Sequence, residues 1–208
     1  MILKRAVYLV VFLFVSVVAH SQINIYLGGN LQGNLSWIRG DEATLEPGFG
    51  GGVSFIYWEY EYWFLKAGIN YNHQSSTILD YADDYGVTPE GPDDKINISY
   101  IQQSVGIPET IFFRPYEKGP NSILVLGSLK VAMVASLKES SEEYGDLVLK
   151  GNDLENRIKT GVGIGAGYQR QLDKHQFLNI YPSFNIDLRG DQAYNTIALT
   201  AEFIFGIY

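Results

Sequence analysis

The stretch 195–208, NTIALTAEFIFGIY, alternates with a period of two. Ile197, Leu199, Ala201, Phe203, Phe205 and Ile207 fall on one parity; Thr196, Ala198, Thr200, Glu202, Ile204 and Gly206 fall on the other. Successive side chains of a strand point to opposite faces, so the segment is expected to be a strand with one apolar and one mostly polar or small face. An exposed Phe/Ile edge invites aggregation in water. The pattern instead suits a strand that closes on the first strand of its own sheet and turns its apolar face to lipid, because a closed sheet satisfies every backbone group without water.

The same alternation recurs seven times upstream, over about 22–37, 47–58, 62–74, 96–114, 122–137, 157–171 and 178–188. In the second of these Phe49, Val53, Phe55 and Tyr57 oppose Gly48, Gly50, Gly52 and Ser54. In the sixth Ile158, Val162, Ile164, Ala166 and Tyr168 oppose Lys159, Gly161, Gly163, Gly165 and Gly167. The fourth is the least regular: Gln103 and Glu109 interrupt the face carrying Ile101, Val105, Ile107, Ile111 and Phe113, and Pro108 removes a ladder donor, which predicts a bulge or bend there.

Eight strands with connections that alternate long and short are expected to form an all-β, antiparallel, up-and-down transmembrane β-barrel with its short turns on one side of the membrane. The long connections are 39–46, 75–95 and 138–156, with a moderate one at 189–194. Aromatics crowd near the short turns and the last strand: Tyr57, Trp58, Tyr60, Tyr62, Trp63, Phe64, Phe112, Phe113, Tyr116, Phe177, Phe203, Phe205 and Tyr208. They are expected to form a periplasmic girdle, with Trp37, Phe49, Tyr71 and Tyr194 as a sparser outer one.

Residues 1–21 read as a cleaved signal peptide. Lys4 and Arg5 make a positive start, Ala6 to Ala19 an apolar run short of a membrane helix, and Ala19-His20-Ser21 a small-x-small cleavage site. Residues 22–208 would then be the barrel, and loss of Lys4 and Arg5 would take the formal charge from −8 to −10. That acidity does not suit nucleic acid, which selects a basic footprint. With no cysteine in the chain, disulfides, thiolate nucleophiles and cysteine zinc sites are excluded. No Walker-type or HExxH motif is present, so no cofactor or metal is expected.

Several of these features together resemble the PorT-like outer-membrane barrel family of Bacteroidota (porin family). They are Ser21-Gln22, Tyr100-Ile101-Gln102 followed by Gly106-Ile107-Pro108, the run Thr160-Gly161-Val162-Gly163-Ile164-Gly165-Ala166-Gly167-Tyr168, and the aromatic terminal strand. The resemblance spans residues 22–208 and implies an outer-membrane barrel in a Gram-negative envelope. One branch of the family is linked to protein secretion.

The inward parity carries Lys66, Lys130, Lys159, Asp187 and Glu202. Charges in a low-dielectric interior must pair or be hydrated, so these are expected to form a salt-bridged lumen network, with Tyr26, Asn70, Asn179, Tyr181 and Asn185 completing its hydrogen bonds. The alternative is a narrow path for small solutes, with room left by the inward glycines. Asp80, Asp83, Asp84, Asp93 and Asp94 are candidate loop contacts for a cation or a partner. His73 and Ser75, two apart on one face, allow a base–nucleophile pair of the kind a lipid A-modifying barrel uses, with Asp93 or Asp94 as the acid. The reading that best fits the whole is a non-enzymatic outer-membrane barrel with a structural or interaction role. Its surroundings would be outer-membrane lipid and lipopolysaccharide, and its long outer loops would contact other envelope proteins.

Overall fold

The computed structural model describes residues 24–39, 43–58, 62–81, 95–141, 145–146, 158–188 and 193–206. These form one antiparallel sheet: β1 (Asn24–Ile38), β2 (Glu46–Trp58), β3 (Trp63–Tyr81), β4 (Lys95–Lys118), β5 (Asn121–Ser141), β6 (Gly145–Asp146), β7 (Ile158–Asp173), β8 (Gln176–Asp187) and β9 (Tyr194–Gly206). Each long strand pairs with its sequence neighbour, and β1 also pairs with β9, so eight strands close into a barrel. β6 is a two-residue rung on the end of β5. The expected region 1–21 lies outside the described residues.

Closure is staggered. Stepping across partners from Leu27 through Phe55, Ala67, Glu109, Leu129, Val162, Ile186 and Asn195 returns to Trp37 rather than to Leu27. Strands of a closed barrel must tilt, and the tilt appears as this offset. All these residues lie on one parity of their strands, so the period-2 alternation maps directly onto outside and inside. Outside stand Leu31, Val53, Leu129, Ile164 and Leu199, each at least 59% exposed. Such a continuous apolar exterior is far larger than the patches a water-soluble surface carries. Inside, glutamate, lysine and amide side chains are buried beside isoleucine and aromatic residues.

β3 and β5 run further toward the long-connection end than the sequence suggests, and β4 runs further toward the short-turn end, to Lys118. β3 continues through Tyr81 and β5 through Ser141, so residues 75–81 and 138–141 belong to strands and not to loops. The β1–β2 connection packs along this extension, with the Thr44 N–H donating to the Thr77 carbonyl at 2.8 Å. Of the bulge or bend expected at Pro108, the structure shows no bulge. Pro108 keeps its place opposite Lys130, and the β3–β4 ladder is interrupted only between Ala67↔Glu109 and Asn70↔Gly106. The register shifts of the β4–β5 pair fall instead at Gln103/Ser104 and Phe113/Tyr116. Missing one donor costs a rung, whereas a bulge requires an extra residue. Beyond the first shift the inward parity of β5 changes, and Glu139 and Ser141 are buried. At the opposite end, Gly119 has φ of 60° in the tight β4–β5 turn, a conformation that favours glycine.

Candidate functional site

The lumen is built in layers. At the short-turn end Tyr26, Ile56, Phe64, Phe112, Leu124, Leu126, Phe177, Tyr181 and Ile204 form an apolar plug. Phe64 and Phe112 stack with ring centroids 4.6 Å apart, and Tyr181 meets Phe112 edge-on at 5.5 Å. This corrects the girdle expected from sequence: Phe64, Phe112 and Phe177 point inward, while Tyr62, Phe113, Tyr116, Phe203 and Phe205 remain exposed outside. Alternation carried the signal, since Phe64 has the parity of Lys66 and Phe112 that of Thr110. At the other end Tyr194, expected on the outer rim, is completely buried with Ile38, Ile96, Ile98 and Tyr100 in a second apolar layer.

Directly against the lower plug lies a charged centre. Lys66 Nζ is 3.0 Å from Glu202 Oε1 and donates to Tyr181 Oη at 2.9 Å. It also stands over the Phe112 and Tyr181 rings at 5.3 and 5.4 Å. Ser54 Oγ donates to Glu202 Oε1 at 3.2 Å, Asn179 Nδ2 donates to Oε2 at 3.2 Å, and Gln169 Nε2 donates to Asn179 Oδ1 at 2.9 Å. Lys66, Ser54 and Asn179, from β3, β2 and β8, thus meet on the carboxylate of Glu202 of β9, itself 0% exposed, with Tyr181 and Gln169 holding two of these donors in turn. Charge-assisted bonds of this kind are the stronger class, and a buried ion needs every one of them.

Higher in the barrel Lys130 Nζ is 3.1 Å from Asp187 Oδ1. Asp187 Oδ2 accepts from the Tyr194 N–H at 3.4 Å, and the Asp187 carbonyl accepts from Arg39 Nη2 at 3.0 Å. Lys159 is buried on the same inward parity. A crosswise chain joins Gln102 to Gln74 at 3.5 Å and Gln74 to Thr196 at 2.7 Å. Asn30 and Asn70 exchange side-chain hydrogen bonds at 3.3 and 3.4 Å.

Between the two ion pairs is a polar cavity of about 80 Å³, bordered by Lys66, Asn70, Lys130, Ser183, Asn185 and Thr200 among others. A water needs roughly 10–15 Å³ of such space and two to four polar partners, so this volume suits a few waters. The inward glycines do not widen it into a path. A Cβ at Gly163 would collide with Asn185 Oδ1 and Ser128 Oγ, and one at Gly167 with Tyr181, so neighbouring side chains already fill the glycine positions.

The five charges singled out in sequence therefore all face inward, and four of them make two ion pairs. Ser54 and Gln169, which sequence reasoning did not single out, complete the lower centre; their inward parity was the available signal. His73 and Ser75 face outward. The His73 ring stacks on Phe49 at 5.0 Å, and Ser75 Oγ donates to the Pro47 carbonyl at 3.0 Å. Asp80 is the last residue but one of β3, while Asp83, Asp84, Asp93 and Asp94 lie outside the described residues. Among the described residues no group of three or more His, Cys, Asp or Glu is arranged to hold a metal.

A closed, staggered, up-and-down barrel of eight strands with an apolar exterior and a polar, filled interior is the architecture of small outer-membrane β-barrels. Neisserial surface protein A has the same fold: TM-score 0.53 at 13% identity, over 88% of this chain and 97% of that one. Ail, the attachment invasion locus protein of Yersinia pestis, aligns at TM-score 0.42 and 17% identity, over 88% of this chain and 99% of that one. No family model matches the chain. No curated protein matches it either.

Proposed function

We propose that this protein is an outer-membrane barrel, exported through a signal peptide cleaved after residue 21, with a structural or interaction role and no catalytic activity. The observation that carries the reading is the lumen itself: apolar clusters occupy it toward each end, and between them stand two buried ion pairs around a small cavity. A barrel so filled does its work at its surfaces. The apolar exterior faces lipid, with lipopolysaccharide around its outer rim, and the long connections that follow β1, β3, β5 and β8 in sequence are the segments for partner contact. The motifs shared with PorT-like barrels support placing the chain in that family and its envelope, with a link to protein secretion.

The test is a pair of measurements. The unboiled protein should migrate faster than the boiled form on SDS gels and should fractionate with the outer membrane. Reconstituted in a planar bilayer, it should show no stepwise conductance. A soluble, non-shifting protein refutes the membrane placement. Resolved conductance steps would favour the second reading, a narrow solute channel, for which the polar cavity beside Lys66 and Lys130 is the supporting observation.

A further inference from the structure

Glu109 carries an acid group on the outward face of the barrel. It is exposed between Ile107 and Ile111, themselves 55% and 57% exposed. Its cross-strand neighbours are Ala67 on β3 and the exposed Leu129 on β5. Outward apolar residues continue past it in both directions, to Val105 and to Phe113. At about 3.3 Å per residue, Phe113 alone lies roughly 13 Å along the strand, beyond what a glutamate stem spans. The carboxylate therefore cannot reach either rim of the apolar band.

Among the described residues, none pairs with it. The described exposed cations, Arg39, Lys95, Lys118, Lys138, Arg170 and Lys174, stand at or near strand ends or in a turn rather than at the height of Glu109. A second copy in the same membrane orientation presents this same belt, so it brings no cation to that depth. An ionisable group facing hydrocarbon is costly unless a partner meets it. The relief beside it is low toward β3, where Ala67 is its partner; toward β5 Leu129 stands opposite, and open space lies diagonally at Gly127, opposite Ile111.

We propose that the β3–β4–β5 face centred on Glu109 is the docking surface for a different membrane-spanning protein that presents a lysine or arginine at mid-bilayer depth. The inference rests on the outer-membrane placement above. The charge decides the kind of partner, and the small Ala67 on the β3 side, with Gly127 diagonally across on β5, leaves room for its side chain to approach.

The test places a photo-crosslinking residue at Ile107, and in a control at Leu199 on the opposite wall, in cells that make the protein naturally. The expected result is a discrete protein adduct from Ile107 and none from Leu199. The adduct should fall more than about tenfold in Glu109→Leu and in the nearly isosteric Glu109→Gln, since truncating a desolvated ion pair costs at least that much. The crosslinked peptide should contain a lysine or arginine, and exchanging that residue for glutamate should restore the adduct to Glu109→Lys. Lipid adducts alone, an adduct with a second copy, or an adduct indifferent to Glu109 overturns the proposal. Heat-modifiability and fractionation on the same samples separate the two levels. A folded outer-membrane protein without the adduct refutes the docking face only; a protein absent from the outer membrane refutes the placement and the docking face with it.

Discussion

Removing one partner of the Lys66–Glu202 pair should destabilise the barrel far more than removing both. The carboxylate is fully buried and accepts from Lys66, Ser54 and Asn179; the Lys66 side chain is 4% exposed and has Tyr181 as its second partner. In Lys66→Met the two neutral donors remain, but the negative charge loses its counter-ion next to the Phe64–Phe112 stack. Breaking a buried pair in this way costs about 3–5 kcal/mol, because an uncompensated charge is left behind. Glu202→Met should cost a similar amount by stranding the lysine. The double variant Lys66→Met/Glu202→Met removes both charges and lines the site with side chains of near-native volume, so it should lie within about 1 kcal/mol of the parent or above it. The coupling energy of the cycle should then be at least about 5 kcal/mol, above the roughly 0.5–3 kcal/mol usual for residues in contact. The assay is urea unfolding in lipid vesicles, followed by the fluorescence of the three tryptophans and by the SDS-gel shift. Two single variants that each cost under about 1 kcal/mol and add in the double would refute the reasoning. They would mean that water in the adjoining cavity, and not the partner, stabilises each charge.

Glu109→Leu in reconstituted vesicles, away from any partner, should raise stability by about 1–2 kcal/mol, less than the midplane cost of a basic residue, as acids cost less there; an unchanged urea midpoint counts against an uncompensated outward charge. Gly163→Val should cost about 1–3 kcal/mol or prevent folding, since its side chain would occupy the space of Asn185 and Ser128, and the gel shift reads this directly. Phe112→Ala, which removes one ring from the stacked pair, should cost about 3–5 kcal/mol by the same unfolding assay. His73→Ala and Ser75→Ala should leave lipid A acylation unchanged by mass spectrometry, because the two side chains engage Phe49 and a backbone carbonyl; a changed acylation pattern would reinstate an enzymatic reading.

Alternation by itself determined the eight long strands, their order and which side of each faces in, because a strand's side chains reverse with every residue whatever its neighbours do. That is why Ile197, Leu199 and Phe203 stand outside and Thr200 and Glu202 inside, as the last stretch alone implied. Misplaced expectations arose where sequence position was read as height without parity, as for Phe64, Phe112, Phe177 and Tyr194, or where polar composition was read as loop, as for residues 75–81 and 138–141. Only the tertiary structure decided which lysine meets which acid. Lys66 and Glu202 are 136 residues apart, and their contact depends on the register of every intervening ladder together with the stagger set when β1 closes on β9. A one-residue slip in any of those ladders would turn the following strands inside out. Alternation says that a charge points inward; the accumulated register says what it finds there.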